Sequence, residues 1–69
     1  MTIVKNTHEN SNYYITLEIA ENNNKAHYVV KVAPIISGIC CRPIKSIIYA
    51  ISEGAKAQNT FNRYIKKYI

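Results

Sequence analysis

Apolar and polar residues alternate one for one along two stretches of this chain and recur at helical spacing along a third. In Tyr13 to Ala20 (YYITLEIA), Tyr13, Ile15, Leu17 and Ile19 fall on one face, and Tyr14, Thr16 and Glu18 on the other. A period of two marks a half-buried strand, because successive side chains of an extended chain point to opposite faces. His27 to Ala33 (HYVVKVA) repeats the pattern, with Tyr28, Val30 and Val32 on one face and Lys31 on the other. Between them, Glu21 to Lys25 (ENNNK) is a turn, since Asn tolerates positive φ and bonds its own backbone. The two runs predict an antiparallel hairpin over 13–33.

The third stretch is Ser52 to Ile69 (SEGAKAQNTFNRYIKKYI). At about 100° per residue, Ala57, Phe61, Tyr64, Ile65 and Tyr68 share a stripe about 100° wide, the width of a core-facing helix side. Lys56, Arg63 and Lys67 form a narrower line on the other side, with Asn59, Asn62 and Lys66 beside it. Ser52 is placed to cap the first turn. Glu53 in that turn and Lys66 and Lys67 in the last one complement the helix dipole. A helix is predicted over about 53–68. Gly54 weakens its start by up to ~1 kcal/mol relative to Ala, which a close approach to a sheet would explain.

The rest is less regular. Thr2 to Asn6 is a short strand candidate, and Thr7 to Asn12 is polar and turn-forming. Pro34 is expected to end the second alternating strand or mark its edge. Ile35 to Pro43 is apolar without a period, a buried loop or a short edge strand. In Ile44 to Ile51 (IKSIIYAI), Ile44, Ile47, Ile48 and Ile51 match helical spacing, and Pro43 suits a first helical position. The segment is short and rich in β-branched and aromatic residues, so a strand is the expectation. The fold class is therefore α+β: a small antiparallel sheet of three to four strands, with a central hairpin at 13–33. The C-terminal helix covers one face, and residues 1–69 form a single domain.

Size and charge narrow the function. At 69 residues, folding buries only about 60% of the unfolded chain's surface, so a homodimer would help stability. Nine Lys and Arg against four acidic residues give +5. That disfavours a mimic of DNA, which needs an acidic surface, and favours acidic partners. Enrichment in Ile, Asn, Lys and Tyr, whose codons are AT-rich, points to a low-GC bacterium, its phage or a mobile element, and it also accounts for part of the lysine content. The opening MTIVKNTHEN lacks the apolar segment of a secretory signal, and no apolar run approaches the ~20 residues of a membrane span. Adjacent Cys40 and Cys41 then read as reduced thiols, and the expected location is the cytoplasm of a bacterium or an infected bacterial host.

Catalytic chemistry is poorly supplied. The acidic side chains are Glu9, Glu18, Glu21 and Glu53, with no Asp, and the hairpin places Glu18 and Glu21 toward solvent. Gly38 and Gly54 are isolated and build no phosphate loop. Cys40 and Cys41, as neighbours in extended chain, point to opposite faces. They lack the Cys-x2–4-Cys spacing of a zinc site, and only His8 and His27 could join them. The reading is a non-enzyme with no cofactor and no metal, its thiols buried or idle, an exposed one being able to cross-link two chains.

Lys31, Arg42, Lys45, Lys56, Arg63, Lys66 and Lys67 are the candidate binding residues. Tyr13, Tyr28, Tyr64 and Tyr68 belong to the core by period, leaving Tyr14 and Tyr49 as surface rings for stacking on bases. With only two Arg, bidentate base reading is limited. The tail SEGAKAQNTFNRYIKKY is similar to the strand, Ser-x-x-Ala and basic-ended helix that close small sheet–helix modules such as WGR-type domains. The Trp-Gly-Arg signature is missing and the chain has no Trp, so no residue role follows. The expected function is a small non-catalytic binding protein that docks on and occludes another macromolecule. An inhibitor of the anti-defence type, encoded by a phage or mobile element and acting on a host protein or nucleoprotein, fits the size and composition. Sequence-nonspecific nucleic-acid binding through the basic helix face is the alternative, and a thiol- or metal-dependent role at Cys40–Cys41 ranks third.

Overall fold

A computed structural model of the chain describes residues 2–68, the side chain of Asn22 excepted. Five antiparallel strands precede one helix. β1 (Thr2–Glu9) pairs with β2 (Tyr13–Asn22), and β2 pairs with β3 (Lys25–Ile36). The far side of β3 carries β4 (Ile39–Cys40) near its C-terminal end and β5 (Lys45–Ala50) along residues 27–32. A 3-10 turn (Ile51–Glu53) then leads into α1 (Gly54–Tyr68). The architecture is the expected α+β one, a curled sheet with one C-terminal helix. Ile69, where the expected helical stretch ended, lies outside the described residues.

The 13–33 hairpin forms, but its loop is tighter than a five-residue turn. Asn23 and Asn24 have φ of 53° and 63°, and Asn22 pairs with Lys25. Two residues with positive φ match the twist of the flanking strands, so pairing continues to the loop. Ser37 and Gly38, with φ of 53° and 79°, make a second two-residue turn inside the irregular 35–43 stretch. Pro34 does not end β3. Its carbonyl accepts the Cys41 N–H at 2.9 Å, so the N–H it lacks would face that same side, where the ladder is already irregular.

Thr7, His8 and Glu9 are strand, not turn. Every residue of β1 is exposed. An edge strand held by backbone pairing needs no apolar alternation, which is why its pattern is illegible. The turn proper is Asn10–Asn12, where Asn10 Oδ1 accepts from the Asn12 and Tyr13 N–H groups at 2.8 and 2.7 Å.

α1 lies against the face formed by Ile15, Leu17, Val30 and Val32, into which it inserts Ala57, Phe61 and Tyr64. Tyr13, Tyr28, Ile47, Tyr49, Ile65 and Tyr68 flank this cluster. β5 fulfils the strand reading of Ile44 to Ile51, with Ile47 and Tyr49 turned inward. At Gly54 the start of the helix lies against a ring: an added Cβ would stand 3.2 Å from Tyr28 Cε2. Ser52 is not the cap. The chain enters the 3-10 turn directly from β5, and the boundary is bonded by the Ala50 N–H donating to Glu53 Oε1 at 3.2 Å.

Candidate basic interface and open-face cleft

The helix period sends Lys56, Arg63 and Lys67 along one flank of α1, and the packing decides what that flank borders. Thr60, one step round the helix from this line, is buried and bonds the Tyr49 hydroxyl of β5 at 2.6 Å. Arg63 Nη2 donates to the same Thr60 Oγ1 at 3.4 Å. The basic flank therefore overhangs β5. Lys45 arrives from β5 itself, with Nζ 5.3 Å from the centre of the Tyr64 ring. Lys67 Nζ stands 5.6 Å from the Tyr68 ring, and the two rings meet edge to face at 5.9 Å. Two tyrosines in edge-to-face contact thus join the strand's cation to the helix's. Lys66 is exposed nearby on the last turn.

Glu53 is the acid that meets this group, pairing with Lys56 at 3.0 Å. The Lys56 hydrogen bond, and after it the Ala50 N–H, hold the Glu53 carboxyl below the ordinary value of 4.5. In and around β5, Ile44, Ile48 and Ile51 are 58%, 66% and 50% exposed, with Ile48 on the sheet face away from α1. Among the described residues, no strand pairs with the outer edge of β5.

Two of the expected binding residues stand apart. Lys31 alternates onto the sheet face away from the helix, where its Nζ meets Glu18 Oε1 at 3.2 Å. Arg42 is exposed in the segment between β4 and β5. Tyr49, expected at the surface, is turned in by its bond to Thr60. Tyr14 is half-buried on the face opposite the basic flank.

That opposite face departs most from expectation. No helix among the described residues covers it, yet Thr16, Glu18, Val29 and Ala33 are buried. Val4, Glu18, Val29 and Ile48 form one row across β1, β2, β3 and β5. The sheet curls, so the middle of such a row sinks while its ends, Val4 and Ile48, stay exposed. Glu18, expected in solvent, is held by Lys31 and by the Thr16 hydroxyl, which donates to Oε2 at 3.0 Å.

The rim is raised by an irregularity on the β3 edge. Ile35 pairs with Cys40 and Val32 with Lys45, so the four residues 41–44 face only 33–34. The excess chain arches out and walls a cleft of about 220 Å³ lined by Tyr14, Thr16, Glu18, Lys31, Ala33, Cys40, Cys41 and Pro43. Both cysteines therefore line one cleft, whereas extended chain would part them. Cys40 is exposed and Cys41 half-buried, each with a free thiol. A second recess of about 190 Å³ lies between β1 and the start of α1, where a bulge at Lys5 interrupts the β1 register. Both are smaller than the ~300 Å³ of an ordinary small-molecule site. Among the described residues, no three His, Cys, Asp or Glu side chains stand together as metal ligands, and no helix is long and apolar enough to cross a membrane.

Nothing in the sequence marked Thr60 or the wall of the cleft. The cleft depends on a register change that has no period to read. No protein-family model, curated protein or solved structure matches the chain.

Proposed function

We propose that this chain is a non-catalytic docking protein that occludes an acidic macromolecular surface, an inhibitor of a host protein or nucleoprotein. The observation that carries the reading is the continuity of Lys56, Arg63 and Lys67 with Lys45 across the Tyr64–Tyr68 pair, along edge strand β5, whose exposed Ile48 lies round that edge on the opposite sheet face. A basic strip gives steering and orientation toward an acidic surface. Exposed apolar side chains on an edge strand give it something to bury. Nucleic acid would meet the same cations, but Tyr49 is tucked in and Tyr14 lies on the other face, so the two rings expected to stack on bases do not adjoin the strip.

The test compares the protein with its triple variant Lys56→Glu, Arg63→Glu, Lys67→Glu in affinity capture from nuclease-treated bacterial lysate. An acidic protein retained by the first and lost by the second supports the proposal. Identical captures from both would sink it. Binding to plain duplex or single-stranded nucleic acid that falls steeply with salt, with no protein captured, would favour the alternative.

A further inference from the structure

The outer edge of β5 carries a row of main-chain groups beside the basic strip, and the hydrogen bonds fix which they are. Ile35 N–H donates to the Asn12 carbonyl at 2.7 Å, so the odd-numbered residues of β3 turn their main chain toward β2. The even-numbered ones face β5, as the Val32 carbonyl does in accepting the Ile44 N–H at 2.8 Å. Through the β3–β5 register, Lys45, Ile47 and Tyr49 then bond inward, while Ser46, Ile48 and Ala50 turn their N–H and C=O groups outward. One outward group is already occupied. Ala50 N–H donates to Glu53 Oε1 at 3.2 Å, and Oε2 of the same carboxylate accepts from Lys56 Nζ at 3.0 Å. A carboxylate thus bridges the β5 edge and the basic strip once within the chain itself. Ser46 and Ile48 continue the same edge, and among the described residues no strand pairs with them there.

We infer that this edge takes up an extended polypeptide segment of alternating acidic and apolar residues as an added strand; the inference rests on the docking reading above and names the form of the partner. A strand laid along β5 turns alternate side chains to opposite faces. On the α1 side lies the basic strip, where Lys45, Arg63 and Lys67 extend beyond the Glu53–Lys56 pair. On the other side lies Ile48, 66% exposed. Main-chain bonds to Ser46 and Ile48 attach the segment, and the two unlike faces select its pattern. A second copy of this chain does not suit the edge, because symmetric β5 pairing would set two basic strips side by side. The far edge of the sheet is unsuited as well: the bulge at Lys5 in β1 is a device that keeps an edge from pairing.

The probe is the synthetic peptide Glu-Val-Glu-Val-Glu-Val, capped at both ends and titrated into the full chain at low salt. The expected result is saturable binding that slows amide exchange at Ser46 and Ile48. Ser46→Pro removes an outward N–H and leaves the β3–β5 ladder intact, so it should weaken binding about tenfold or more while keeping the circular dichroism of the fold. Methyl groups on one alternate set of the peptide's main-chain nitrogens should abolish binding and on the other set spare it, since a strand turns every second N–H to its neighbour. That comparison uses the wild-type chain and decides the matter if the proline variant does not fold. No binding, equal binding by both methylated forms, equal binding of the block peptide Glu-Glu-Glu-Val-Val-Val, or self-association through β5 would each overturn the inference. A partner captured from lysate by Ser46→Pro as well as by the wild type, and lost by the triple charge reversal, would overturn strand addition and leave the docking reading standing. Peptide binding at β5 with identical lysate captures from the wild type and the triple variant would do the reverse.

Discussion

The two faces of this sheet reach burial by different means. On the covered face, Ile15, Val30 and Val32 are wholly buried because α1 inserts Phe61, Tyr64 and Ala57 among them. On the open face, Thr16, Glu18, Val29 and Ala33 are nearly as buried, with only curled strands and the arched 41–44 segment around them. The first face is apolar throughout its centre. The second tolerates a carboxylate there because Lys31 and Thr16 answer it. A helix excludes water by contact with apolar groups. A curl only narrows its approach, and polar groups can sit beneath it when they pair.

If that distinction holds, the same truncation should have unequal effects on the two faces. Phe61→Ala removes the largest apolar group of α1 from a site 2% exposed and should destabilise by about 3–5 kcal/mol in urea unfolding. In a chain this small, that can abolish folding. A loss near zero would mean the helix does not close the covered face. On the open face, Glu18→Ala should cost about 1–3 kcal/mol, the range for breaking a buried hydrogen-bonded group. Lys31, 39% exposed, can turn to water once its partner is gone, which keeps the effect below that of Phe61. A loss as large as that of Phe61→Ala would show the open face to be core of the same kind. Thr60→Val tests the seam between helix and β5. It should cost about 1 kcal/mol through the Tyr49 bond and loosen the seat of Arg63, seen as faster amide exchange along β5.

How much of this was legible follows from which force set each part. The covered face was readable because burial by a helix imposes strict periods on both partners: Tyr13, Ile15, Leu17 with Tyr28, Val30, Val32, and Ala57, Phe61, Tyr64 opposite them. β1 was only half readable because an edge strand is chosen by backbone pairing, and Thr7, His8 and Glu9 satisfy that as well as any residue. Glu18 was misread because alternation assigns a face but not its curvature. The basic line on α1 was visible as a line. Its junction with Lys45, and its separation from Lys31, depended on the parity of β5 and β3 in the sheet. The joint placement of Cys40 and Cys41 depended on residues 41–44 outnumbering 33–34, a register shift without compositional trace.

The smallest expected effect separates the two ion pairs. Glu53–Lys56 is exposed at the helix start, and Glu18–Lys31 is sunk in the open face. The Lys56 bond and the Ala50 N–H hold Glu53 below 4.5, so folding favours its charged form. The stability it adds is present above the unfolded value and is lost as pH falls through the lower, folded one. Acidification below about 4.5 should therefore loosen the junction of β5 and α1 before the sheet opens. A carbon-detected NMR titration would follow the Glu53 carboxyl directly. Its midpoint should lie under the ordinary value in the wild type and rise toward it in Lys56→Gln. If Lys56→Gln leaves the Glu53 midpoint where it was, the pair at the helix start is not formed in solution.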